Sequence, residues 1–221
     1  MTHTSLHMAD ALRTIDENVL LLLNDKGNDF IDNLIITFTS TCTWIPLFIG
    51  LIIMLWCSSL SKKQVFIIIG GALLCLLFSA GMVDGIIKPL VQRLRPCNEP
   101  TLKGIVQIVN GYCNTDYSFF SGHASNTSTI AVYLLLIVRQ RRFTILILFW
   151  SLLNCYTRLY LAQHYPTDII VGLIWGSSIG VFLATLIGKH IHAKFNIRIA
   201  ETGIAISILY SIAMAIYINI S

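Results

Sequence analysis

Charge is scarce in this chain. Only 12% of its 221 residues are Asp, Glu, Lys or Arg, while 55% are hydrophobic. A soluble domain of this length carries roughly 25% charged residues, so an ordinary water-soluble core is excluded. The mean hydropathy of +0.74 points the same way. A continuous basic face is also missing. The net charge is a modest +4, and the basic residues are scattered over loops, which makes nucleic acid a poor partner. No zinc-like set of ligands is present, so no metal site is expected. The first 30 residues are too acidic for a cleavable signal peptide and lack an apolar core with a small-residue cleavage site.

What remains is long apolar segments. Six of them, at about 36–58, 64–86, 119–138, 144–162, 167–188 and 200–220, come near the roughly 20 residues that a bilayer requires. Residues 5–23 read instead as an amphipathic helix. Met8, Leu12, Ile15, Val19, Leu22 and Leu23 recur at three- and four-residue spacing, with Asp10, Arg13, Asp16 and Glu17 between them. Such a helix packs on the bundle or lies in the membrane interface. The expected fold is therefore all-α: a polytopic membrane bundle of six transmembrane helices after an N-terminal amphipathic helix. Residues 1–30 carry that helix, and 31–221 form one six-span domain.

Orientation follows from the short loops. Lys62 and Lys63, then Arg139, Arg141 and Arg142, then Lys189, Lys194 and Arg198 fall in three loops that share one side. The positive-inside rule makes that side cytoplasmic. The long connection Lys88–Tyr117 then lies on the opposite face. Loops of this length are usually functional or disordered. Its Ile105, Val106, Ile108 and Val109 argue for a folded lid. Of six cysteines, Cys42, Cys57, Cys75 and Cys155 sit within spans as small hydrophobes. Cys97 and Cys113 share the long loop, where an oxidising face would permit a disulfide; the alternative is two free thiols.

Three polar clusters interrupt the apolar background, each at the end of a span. The first holds Lys88 and Arg95, flanked by Pro89 and Pro96, which break regular helix. Alone, these cations could snorkel to headgroups or pair with an acid, and Asp84 stands four residues before Lys88. The second is Ser121-Gly122-His123. Ser121 is a good N-cap, Gly122 allows close approach of backbone to a ligand, and the free N–H groups of a helix start attract anions. The third is Arg158, His164 and Asp168. Asp168, about a turn beyond His164, can accept from its Nδ1–H and leave Nε2 as a nucleophile; a purely structural His–Asp pair is the alternative. Jointly, three cations, two imidazoles and one carboxylate suit cleavage of a phosphate ester by histidine chemistry.

The three clusters together resemble the type-2 phosphatidic acid phosphatase superfamily, whose motifs are Lys-x6-Arg-Pro, Pro-Ser-Gly-His and Ser-Arg-x5-His-x3-Asp. The first is matched in full. Phe120 replaces the usual proline of the second, and Thr157 the usual serine of the third. The likeness covers about residues 36–188. It implies that His164 attacks phosphorus to form a phosphohistidine, that His123 protonates the leaving oxygen and then helps to activate water, and that Asp168 orients His164. Lys88, Arg95, Arg158, Ser121 and the Gly122 backbone would bind the phosphoryl oxygens. No cofactor is implied. The partner would be a membrane lipid phosphate, with lipid A or undecaprenyl diphosphate favoured, at the periplasmic face of a bacterial inner membrane. Transfer of the phosphoryl group to a second lipid, and non-catalytic binding or transport of a lipid phosphate, are the alternatives.

Overall fold

The computed structural model describes residues 3–24, 27–189 and 191–220, with side chains from residue 11 onward. Met8 and Asp10, two members of the expected N-terminal pattern, lie outside the described side chains. The chain is helical, with no strand among the described residues. The helices are α1 (His3–Leu23), α2 (Asp29–Thr39), α3 (Ile45–Trp56), α4 (Lys62–Met82), α5 (Lys88–Val91), α6 (Gly122–Val138), α7 (Arg141–Tyr160), α8 (Pro166–Gly188) and α9 (Arg198–Ile220).

Four stretches are long and apolar enough to cross a membrane: Lys62–Leu102, α7, α8 and α9. A fifth arises if α2 and α3 count as one broken span. They correspond to the single run expected over 36–58, but the chain bends by 72° between them. The break is local in origin. Ser40 leaves the helical region (φ −74°, ψ 128°), and Pro46 stands in the first turn of α3, where a missing N–H costs nothing. The exposed carbonyls at the end of α2 are recovered by side chains. Thr43 donates to the Thr37 carbonyl at 2.6 Å, and the Trp44 indole to the Phe38 carbonyl at 2.9 Å. Helix α6, at 17 residues, is shorter than the other candidate spans.

The centre of the bundle is the α6–α8 contact. Gly172, Gly176 and Gly180 form a ridge of bare backbone on α8. A Cβ on Gly176 would stand 2.2 Å from the Ser125 carbonyl oxygen, and one on Gly180 would stand 2.8 Å from that of Thr129. Small residues at this spacing let two helices in lipid approach backbone to backbone. Thr129 Oγ1 uses the proximity to donate to the Gly176 carbonyl at 2.8 Å. Helix α4 joins α6 through Tyr133, whose hydroxyl donates to the Ile68 carbonyl at 3.0 Å, and through the paired hydroxyls of Ser79 and Ser125. Tight α6–α8 packing places the start of α6 beside the start of α8. Ser121 N–H donates to the Asp168 carbonyl at 3.2 Å.

Helix α1 presents one apolar stripe outward. Leu12, Ile15, Val19 and Leu22 are exposed, while Asp16 and Leu20 are buried against the protein. The connection from Gln92 to Ser121 is ordered by three short 3-10 turns and by Gln163, which is fully buried between α7 and α8. Gln163 donates to the Tyr112 carbonyl at 3.0 Å and accepts from Asn114 N–H at 3.2 Å. Cys97 and Cys113 are joined in a disulfide, with Cα atoms 6.0 Å apart.

Candidate active site

Lys88 follows a π-helical turn, Val83–Ile87, that joins α4 to α5. Its ammonium pairs with Asp84 at 2.8 Å and with Asp116 at 2.9 Å. The i,i+4 pair with Asp84 is thus present, yet Lys88 also faces the cavity. Arg95 is buried under the long connection. Its Nη2 meets both Asp116 oxygens at 2.8 Å, and its Nη1 donates to the Gln163 carbonyl at 2.8 Å. Burial works against the charged form of Asp116. The hydrogen bonds from Arg95 and Lys88 outweigh it and hold the carboxyl well below the usual carboxylate range.

Arg158, in the last turn of α7, is only 1% exposed. Its Nη1 donates to Thr39 Oγ1 at 2.7 Å and to Tyr112 Oη at 3.2 Å, both neutral. No carboxylate pairs with it among the described residues, and its Nε has no hydrogen-bond partner there. A buried charge without a counterion is costly unless an anion joins it.

His164 sits in the α7–α8 connection and is 1% exposed. Its Nε2 lies 3.1 Å from Arg95 Nη1. A guanidinium can only donate, so Nε2 accepts and the ring proton resides on Nδ1. That tautomer carries its lone pair on Nε2, toward the cavity. Nδ1 points at Asp168 Oδ2 across 3.7 Å, longer than a hydrogen bond. Burial, then the charges of Arg158 and Arg95, hold the His164 imidazole well below its ordinary pKa, and therefore neutral. Asp168 is fully buried in the first turn of α8. Its Oδ2 accepts from Tyr165 N–H at 2.9 Å and its Oδ1 from Arg93 Nη1 at 2.7 Å.

His123 stands in the first turn of α6, behind the N-cap Ser121, whose Oγ accepts from Ala124 N–H at 3.3 Å. One cavity of about 500 Å³ is lined by Lys88, Arg95, Gly122, His123, Arg158 and His164, together with Asp116 and Asn126. All three clusters of the sequence therefore meet in one place. Ser121 and Asp168 do not line the cavity; they lie beneath it and hold its walls. A second cavity, about 420 Å³ and almost wholly apolar, runs between α3, α4, α6 and α7 and shares His123 and Asn126 with the first.

Sequence reasoning missed Asp116, Tyr112, Thr39 and Asn126, which no spacing rule connects to the clusters. It also passed over Arg93, although Arg93 lies inside the first motif.

Buried cations around two imidazoles, at one end of an apolar helical bundle, define a membrane protein equipped for phosphoryl chemistry. The chain belongs to the PAP2 superfamily, a family of phosphatases, which it matches over residues 69–192. It is 35% identical to the lipid A 4'-phosphatase of Bacteroides thetaiotaomicron over 170 residues, covering 76% of this chain and 75% of that one. It is 30% identical to the lipid A 4'-phosphatase of Porphyromonas gingivalis over 171 residues, covering 76% and 71%. A shorter stretch of 63 residues, 28% of this chain and 30% of the relative, is 44% identical to the undecaprenyl-diphosphatase of Sulfolobus acidocaldarius. No solved structure matches the chain.

Proposed function

We propose that this protein is a six-span inner-membrane enzyme that removes a phosphate from lipid A at the periplasmic face, through a phosphohistidine on His164. The observation that carries the proposal is Arg158: a buried guanidinium with no carboxylate partner among the described residues, in the same cavity as a neutral imidazole whose Nε2 lone pair faces Arg95. A phosphate would offer oxygens to Arg158, Arg95 and Lys88 together. The adjoining apolar cavity supports a lipid as its carrier, since it meets the polar one at His123. Lipid A is favoured over undecaprenyl diphosphate because the two lipid A phosphatases align over three quarters of the chain.

In this scheme the phosphate takes up N–H donors from Arg95, Arg158, Lys88 and the Gly122 backbone, and displaces the carboxylate of Asp116. Arg95 releases His164 Nε2 as it turns to a phosphoryl oxygen. Nε2 forms a bond to phosphorus while the P–O bond to the lipid breaks, and His123 protonates the leaving oxygen. Asp168 closes on Nδ1–H as the ring becomes cationic. Water, deprotonated by His123, then attacks the phosphohistidine. Free phosphate leaves, and His164 is restored. Fixed donors of this kind stabilise the spread charge of the transition state by several kcal/mol.

Six spans result if the bent α2–α3 pair and the short α6 are both counted with α4, α7, α8 and α9. The basic loops support the orientation. Lys194 N–H donates to Ser59 Oγ at 3.1 Å, and Gln140 Nε2 to the Phe195 carbonyl at 3.1 Å, so the three loops gather at one end. The Cys97–Cys113 disulfide, in the connection over the site, suits an oxidising compartment on the opposite side. The experiment is release of inorganic phosphate by purified protein from lipid A, undecaprenyl diphosphate and phosphatidic acid. Lipid A is expected to be the best substrate. His164→Ala is expected to abolish turnover while phosphate still binds; continued turnover by that variant would refute the scheme.

A further inference from the structure

Helix α1 lies outside the stretch that matches the family, yet it reaches the floor of the site. Asp16 is 3% exposed, on a helix that also exposes Leu12, Ile15, Val19 and Leu22. Its Oδ2 accepts from Arg93 Nη2 at 2.6 Å and from Thr167 Oγ1 at 2.5 Å, and its Oδ1 accepts from Thr167 N–H at 2.9 Å. The other arm of Arg93, Nη1, donates to Asp168 Oδ1 at 2.7 Å and to Thr167 Oγ1 at 2.9 Å. The guanidinium carbon lies over the Tyr165 ring, 3.8 Å from its centroid. Asp16 and Arg93 therefore grip Tyr165, Thr167 and Asp168, the opening of α8 that follows His164 directly.

We propose that Asp16, acting through Arg93, is a positioning residue for the His164–Asp168 pair, so that the N-terminal helix is part of the catalytic apparatus. The inference rests on His164 being the nucleophile. Packing alone does not account for a buried acid here. Replacing a buried ion pair as a whole by apolar residues of similar volume is often neutral or stabilising, so leucines in place of both Asp16 and Arg93 would also dock α1. A charge does what a leucine cannot. Arg93 bound to Asp168 alone would neutralise the carboxylate that must support the cationic ring. Asp16 balances Arg93 and leaves the charge of Asp168 for His164. The rigid fork of Arg93 also fixes Oδ1, which aims Oδ2 at Nδ1, 3.7 Å away, ready to close when the ring gains charge.

The test is steady-state kinetics on full-length Asp16→Asn in detergent, with thermal unfolding alongside. Asn keeps the shape and one oxygen for Thr167 but removes the charge. kcat is expected to fall roughly tenfold or more, the loss typical of a residue that orients another. KM is expected to stay near that of the unchanged protein, while the unfolding temperature falls because Arg93 loses a buried partner, so kcat is read well below that temperature. Glu17→Gln, on the same helix and paired with surface Arg13 alone among the described residues, is expected to leave kcat unchanged. An unchanged kcat in Asp16→Asn, or a change in KM alone, overturns the proposal. Should that variant fail to fold, Arg93→Lys reads the same quantity: a fall in kcat supports the proposal and an unchanged kcat overturns it. His164→Ala separates the two levels. Its inactivity beside an unaffected Asp16→Asn removes only the positioning role, whereas its activity removes the nucleophile.

Discussion

Asp116 has more bonds to the site's cations than any other residue. Its two oxygens occupy Arg95 and Lys88 together, in the manner of an internal anion. It is also half exposed, so it leaves at less cost than a buried carboxylate would. A phosphate must compete with it for the same donors. Charge-assisted hydrogen bonds contribute about 1.5–3 kcal/mol each. Asp116→Asn is therefore expected to lower the inhibition constant of inorganic phosphate by roughly tenfold, measured as product inhibition at fixed lipid. An unchanged or weaker inhibition would mean that the carboxylate does not occupy the anion's place. Residue types were the most legible part of the sequence here. Lys88, Arg95, His123, Arg158 and His164 were chosen by charge and chemistry, and all five line one cavity. Asp116 was invisible because an acid in a loop carries no mark of the cations it will meet.

At the scale of elements, the site depends on how closely α6 and α8 approach. In the proposed scheme each helix start supplies part of the chemistry, His123 from one and Asp168 from the other, and the glycine ridge sets their separation. Gly176→Val would drive a side chain into the Ser125 carbonyl, which is backbone and cannot swing aside. Overpacking of this kind costs about 1–3 kcal/mol. The expected outcome is a lower unfolding temperature together with reduced phosphate release. Gly70→Ala serves as the control, since a Cβ there meets nothing within 4 Å; equal effects of the two substitutions would count against the ridge. Helix positions were readable from apolar run length, and α7, α8 and α9 lie close to their expected bounds. The first expected span was not a single helix. Hydropathy averages over a window, so it registered the apolar residues on both sides of Ser40 and was blind to the bend.

For the whole molecule, the arrangement of charge gives a testable direction. Basic loops gather at one end and the site at the other. Take a chain with Cys42 and Cys57 replaced by Ala. Lys63→Cys, in the first turn of α4 beside the α3–α4 loop, is expected to resist an impermeant maleimide in intact spheroplasts and to react after permeabilisation. Lys103→Cys, above the site, is expected to react without it. The reverse pattern would place the site in the cytoplasm.

The sequence by itself determined an apolar, helical, membrane-class protein and the kinds of side chain available for phosphoryl chemistry, because composition and run length are properties of the chain alone. Only the tertiary structure decided which groups share a cavity, that Arg158 has no acid partner among the described residues, and that Asp16 reaches Arg93 from a helix 77 residues away in the chain. Those facts arise when packed helices exclude water and leave each buried charge with only the neighbours that the fold supplies.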